Sequence, residues 1–144
     1  MNMRQKALDY LSRREHSRYE LQQKLLRHDF DPAQIEMLLN ELSNNNLQSD
    51  ERFAQEYIHA RKQRGYGPDR VIEELRQKGV SDAVIRNTVQ PDAPEWHESL
   101  VRLLTSRSGV MRKEQSRISF LLNRGYSIDM ISKCFAIQES FENE

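Results

Sequence analysis

The sequence predicts an all-α fold: three tandem three-helix repeats that stack into an elongated, solenoid-like molecule. Three observations lead there. The 144 residues are 31% charged and only 37% hydrophobic, with five Gly and four Pro, a composition of exposed helices rather than of strands or a thick central core. A short segment recurs three times with one pattern, as Phe30-Asp31-Pro32-Ala33-Gln34-Ile35, Val80-Ser81-Asp82-Ala83-Val84-Ile85 and Tyr126-Ser127-Ile128-Asp129-Met130-Ile131. An apolar stripe upstream of each copy recurs as well, and self-similarity at such a period is the mark of repeat architectures.

The first helix of each repeat is read from Ala7, Tyr10, Leu11 and Arg14, matched by Ala54, Tyr57, Ile58 and Arg61 and then by Leu100, Leu103, Leu104 and Arg107. Spacings of three and four place the apolar residues on one face, with a cation at the C-terminal end. The second helix opens at Ser17-Arg18-Tyr19-Glu20, a capping box in which Glu follows Ser by three, and in the next repeat at Gly67-Pro68, a cap followed by proline in the first turn. Lys113 stands at this phase in the third repeat and is a poor cap. The third helices start at 31, 81 and 127, where an apolar residue precedes an Asp or Ser cap and an Ile follows four positions on, a hydrophobic staple. Asp29, Gly79 and Gly125 fall where the preceding helix must end, and Gly is favoured there because it tolerates the left-handed conformation. The caps at 31, 81 and 127 lie 50 and 46 residues apart, near the length of three-helix solenoid units. The repeats are therefore 1–48, 49–93 and 94–139, joined through Ser43-Asn46 and Gln90-Pro94, with a frayed tail at 140–144.

Lys and Arg number 22, as do Asp and Glu, and the balance holds within each third of the chain. Coating of nucleic acid by bulk charge is thereby disfavoured, since such affinity needs many phosphates neutralised together. Cys134 is the sole cysteine, so neither an intrachain disulfide nor a thiolate metal cluster forms, and a reducing compartment fits. No signal peptide precedes the first helix and no apolar run is long enough to span a bilayer, which points to the cytoplasm and no membrane partner. His16, His28, His59 and His97 show no helical i, i+4 pairing for a metal, and Gly65-Tyr66-Gly67-Pro68 lacks the glycines and the setting of a phosphate loop. Cys134, Trp96, Phe53 and Phe120 read as core residues rather than as a nucleophile or stacking platforms. No catalytic constellation and no cofactor are expected.

One surface feature stands out. Arg13 and Arg14, then Arg61, Lys62 and Arg64, then Arg107, Arg112 and Lys113 fall at equivalent ends of the first helices, where stacked repeats would align them in a basic ladder. Cations at a helix C-terminus also serve its dipole, and spacing alone does not separate the two roles. Tyr66 beside Arg64 favours a contact surface, because Tyr and Arg are favoured interface residues. Arg18, Arg70, Arg117 and Arg124 complete the candidate contact residues.

Several spaced motifs resemble those of the RecX family, bacterial regulators of the recombinase RecA. The run from Ala7 to Leu21 resembles the family's opening motif. Asp50-Glu51-Arg52-Phe53-Ala54, Tyr57, Arg61, Gly65, Gly67-Pro68, Ile72, Glu74-Leu75 and Lys78-Gly79-Val80 resemble its most diagnostic stretch. Phe120-Leu121-Leu122-Asn123-Arg124-Gly125-Tyr126-Ser127 resembles its closing motif, with Asn123 where a basic residue is more usual. The resemblance implies a curved molecule, expected to be a monomer, lodged in the groove of a RecA filament on single-stranded DNA. Lowered ATPase, strand exchange and coprotease activity would follow, through blocked extension or hastened disassembly, with DNA itself at most a weak direct ligand. An independent helical nucleic-acid-binding protein and a structural scaffold for another protein are the alternatives that the residues leave open.

The staples carry a test. Ile85→Ala removes both the packing on Val80 and core burial in the middle repeat, so thermal melts should show a loss of ~2–5 kcal/mol.

Overall fold

The computed structural model describes residues 1–106 and 114–142, all helix and connecting turn, with no strand among them. In chain order the helices are α1 (Met3–Arg13), α2 (Arg18–Leu26), α3 (Pro32–Asn44), α4 (Asp50–Gln63), α5 (Pro68–Gln77), α6 (Asp82–Val89), α7 (Pro94–Thr105), α8 (Glu114–Asn123) and α9 (Ile128–Glu142). An all-α helical-repeat fold is what the sequence predicts. The expected helix starts near 17, 31, 67, 81 and 127 coincide with the caps of α2, α3, α5, α6 and α9. Lys113 lies outside the described residues, and α9 continues to Glu142, into the segment expected to fray.

The caps explain the starts. Ser17 Oγ accepts from Glu20 N–H while the Glu20 carboxylate accepts from Ser17 N–H, both at 3.1 Å, closing the capping box of α2. Asp31, Ser81 and Ser127 accept from the backbone N–H three residues on, and behind each cap the stapled residues Ile35, Val80 with Ile85, and Tyr126 with Ile131 are buried. Ser49 caps α4 in the same way. Pro94 opens α7 at the position where the missing N–H costs nothing. The helices stop where expected: Asp29, Gly79 and Gly125 have φ of 59°, 77° and 100°, and Asn46 after α3 and Gln90 after α6 are also left-handed.

The chain divides into two compact units, Met1–Tyr57 with Leu75–Thr88 and Ile58–Glu74 with Val89–Glu144. In the first, Ala7, Leu21, Leu25, Ile35, Leu38, Leu39 and Leu42 bring together α1, α2 and α3 around one apolar core. In the second, Leu100, Leu104, Leu121, Tyr126, Ile131 and Cys134 do the same for α7, α8 and α9, and burial raises the Cys134 thiol pKa. Trp96 is fully buried and donates its indole N–H to Val89 carbonyl at 2.8 Å.

Both units contain the same end-to-end joint. In the first, the N-terminus of α2 meets the turn after α5, where Ser17 Oγ donates to Lys78 carbonyl at 2.9 Å. In the second, the N-terminus of α5 meets the turn after α8, where Gly67 N–H donates to Arg124 carbonyl at 2.7 Å and Asp69 N–H to Gly125 carbonyl at 3.0 Å. At the second joint unpaired N–H donors of a helix start thus meet unpaired acceptors of a helix end, while at the first a side-chain hydroxyl meets the helix-end carbonyl. The approach leaves no room for a side chain: a Cβ on Gly79 would lie 2.6 Å from Tyr19 Cβ, and one on Gly125 would lie 2.3 Å from Arg70 Cβ. Gly125→Ala meets both this clash and the positive φ. Urea unfolding should show a loss above the ~1 kcal/mol of an ordinary substitution, whereas Gln77→Ala on exposed α5 should stay near ±0.5 kcal/mol.

Candidate partner-binding surface

In the second unit a knot forms around Tyr66, in the turn between α4 and α5. The guanidinium of Arg61 lies 3.6 Å from the ring centroid, with those of Arg70 and Arg124 at 4.6 and 4.7 Å. Arg61 donates through Nε and Nη2 to the two carboxylate oxygens of Glu74 at 3.0 and 2.7 Å. Arg70 donates to Asn123 carbonyl at 2.9 Å, and Arg124 donates to Arg64 carbonyl at 2.9 Å. Beneath them Tyr126 donates its hydroxyl to Gly65 carbonyl, and burial pushes that phenol up to about 12 against the opposing charges of Arg124 and Arg102. The Arg61 side chain is only 15% exposed and its Glu74 partner 21%, so Arg61 holds the turn rather than offering a free charge.

Around the knot the remaining candidates differ in availability. Lys62 Nζ lies 4.4 Å from the Trp96 ring centroid, and burial lowers its pKa although Glu95 opposes this. Arg64 is exposed, and its side chain makes no hydrogen bond or ion pair among the described residues. Arg117 is half-buried on α8. Arg107, Arg112 and Lys113 lie outside the described residues.

Arg13, Arg14 and Arg18 belong to the first unit. Arg13 is 73% exposed and pairs with Asp9 one turn back at 3.1 Å. Arg14 forks onto Glu20 at 3.2 and 3.1 Å, and Arg18 reaches Glu36 and Asn40, both at 2.8 Å. Glu20 is thus far more than a capping residue, since it also meets Lys78 at 3.5 Å. Burial works to raise its pKa, but the bonds from Arg14 and Ser17 and the charges of Arg14 and Lys78 outweigh it, and the carboxyl ends below its ordinary value. Beside it His16 is 2% exposed, with Nδ1 3.1 Å from Arg14 carbonyl and Nε2 2.7 Å from Lys24 Nζ. A neutral ring protonated at Nδ1 donates to the carbonyl and accepts from the ammonium. Burial chiefly, with Arg14 and Lys24, lowers the His16 pKa, while the Arg14 carbonyl and Glu20 oppose. His16 and Glu74 stand within the motifs that resemble the family's, but nothing in the spacing named Lys24 as the partner of one or Arg61 as the partner of the other.

Helices paired in threes, stapled at their caps and joined end to end, define an all-α helical-repeat protein. The family model for the first three-helix domain of RecX matches residues 4–42, and that for the second three-helix domain matches residues 49–89. A Regulatory protein RecX from Chromohalobacter salexigens is 34% identical, over 92% of this chain and 90% of its own. Another from Pseudomonas fluorescens is 36% identical, over 91% of this chain and 88% of its own. Among solved structures, RecX from Lactobacillus salivarius superposes with a TM-score of 0.76 at 25% identity, covering 95% of this chain and 93% of that one. The chain belongs to the RecX family of regulatory proteins.

The His16 and Glu20 shifts fix a pH dependence. A histidine with a lowered pKa leaves the unfolded chain holding more protons below its ordinary value of 6.5, so stability falls as pH drops from there. The Glu20 contribution is present above 4.5 and is lost as pH falls through the lower folded value. Urea unfolding from pH 7.5 to 5 should show a decline of at most ~1.4 kcal/mol per pH unit per proton, flattened in His16→Gln, which accepts from Lys24 without titrating.

Proposed function

We propose that this chain is a negative regulator of RecA that binds in the groove of the RecA filament on single-stranded DNA. It lowers the filament's ATPase, strand-exchange and coprotease activities by blocking extension or promoting disassembly, and so acts in recombination and DNA repair. Membership of the RecX family carries the reading. Surface chemistry supports it: exposed guanidiniums at Arg13 and Arg64 stand on a chain of zero net charge, a mixed surface suited to a partner made of protein and nucleic acid together. The working arrangement in this reading is a cytoplasmic monomer of three repeats, 1–48, 49–93 and 94–139, whose basic residues face the filament.

RecA's DNA-dependent ATPase, followed after adding the chain well below stoichiometry to RecA, tests this directly. Progressive loss of ATPase is expected, and unchanged hydrolysis overturns the reading. Two arginine variants separate contact from support. Arg64→Ala should leave stability within about ±0.5 kcal/mol and weaken suppression several-fold. Arg61→Ala strips Glu74 of its fork and should cost about 1–3 kcal/mol of stability in urea unfolding. Wild-type suppression by Arg64→Ala would move the contact away from the α4–α5 turn.

A further inference from the structure

On the first unit a shallow groove of about 340 Å³ runs between one face of α2 and the end of α5, lined by Tyr19, Gln23, Lys24, Arg27, Gln77 and Lys78 around Glu20. Its size falls within the range of small-molecule sites. Three cations face one carboxylate there, and that carboxylate is already committed to Arg14, Lys78 and the Ser17 N–H. The Glu20 charge favours the Lys24 ammonium, but burial and the Arg14 charge beside it outweigh that support. The only hydrogen-bond partner of that ammonium among the described residues is the neutral His16 ring, its Nζ also lies 4.7 Å from the Tyr10 ring centroid, and Arg14, Arg27 and Arg13 add unfavourable charge beside it. The Arg27 guanidinium is exposed, and neither it nor the Gln23 and Gln77 amides make a side-chain hydrogen bond among the described residues. Cations at the ends of α2 and α5 serve those helices' dipoles and Lys78 also meets Glu20, so the charge least compensated in the groove is that of Lys24 and Arg27.

An anion is what such a groove lacks, and its donors are those that phosphate oxygens accept from. The wall adds an aromatic surface: Tyr19 is 46% exposed while its Cβ is pinned against the Gly79 turn, where a methyl group would come within 2.6 Å. A fixed, half-open ring beside a cation cluster is the pairing that takes a base together with its phosphate.

We propose that the groove between α2 and the end of α5 is a nucleotide site, with phosphate on Lys24, Arg27 and Lys78 and the base on the Tyr19 ring. The nucleotide comes either from a single strand of nucleic acid or from a free nucleoside phosphate. The groove belongs to the first unit alone, so the site stands whether or not the α4–α5 turn touches a filament.

Titrating the full chain without RecA tests it, with four probes: fluorescein-labelled oligothymidylate, an abasic strand of equal length, ATP without added metal, and pyrophosphate. Binding is read by anisotropy, by competition against the labelled strand and by backbone amide shifts. Oligothymidylate should shift the amides of Lys24, Lys78 and Gly79. Arg27→Glu, an exposed change that leaves the melting curve intact, should weaken binding at least tenfold. Arg86→Glu, the same charge change on an exposed residue outside the groove, should leave it within twofold. Tyr19→Leu should weaken oligothymidylate and ATP while sparing the abasic strand and pyrophosphate. Shifts of the same amides by ATP at matching concentrations assign a free nucleotide, and shifts by strands alone assign nucleic acid. Unchanged affinity in Arg27→Glu, equal losses in Arg27→Glu and Arg86→Glu, or shifts confined to other amides overturn the proposal.

Discussion

The meeting of a helix start with a helix end is the contact on which both compact units depend. A helix leaves its first N–H groups and last carbonyls without partners, and burying either unpaired is costly. At the second joint the two deficits cancel, and at the first a side-chain hydroxyl meets the helix-end carbonyl. Gly67 N–H before α5 and Asp69 N–H within it donate to the carbonyls of Arg124 and Gly125, and the Ser17 hydroxyl before α2 donates to that of Lys78. The opposite ends of two helix dipoles are brought together in the same stroke. Because backbone must touch backbone, glycine is required at the turn, and a Cβ on Gly67 would itself lie 2.6 Å from the Gly125 carbonyl. Middle helices of successive sequence repeats are thereby tied by a contact that no apolar stripe specifies.

This joint also explains where the arginines go. Arg70 and Arg124 flank the second joint, and Glu74 anchors Arg61 and Arg70 over Tyr66, while Arg14 and Lys78 converge on Glu20 at the first. Forked guanidinium contacts to half-buried carboxylates are oriented and partly shielded, unlike the isolated surface pairs that contribute little. Much of the basic character read along the first helices is therefore spent holding turns in place. The charge left for a partner is narrower than the count of cations, and it lies at residues such as Arg64, Arg27 and Arg13 whose heads stand in solvent.

Helix starts, staples, left-handed stops and the core faces were legible in the sequence, because each depends on residues within one or two turns of one another. Ser17 with Glu20, Asp31 with Ile35 and Gly125 with Tyr126 are local pairs whose chemistry is fixed by spacing. What only the tertiary structure decided is which charges are spent and which remain. Arg61 and Arg64 look alike on the chain, yet one forks onto Glu74, thirteen residues away, and the other faces water. His16 looks like a stray histidine until Lys24 and the Arg14 carbonyl close on it. Partners that lie far apart along the chain leave no periodicity to read, so their pairing exists only once the helix ends have met.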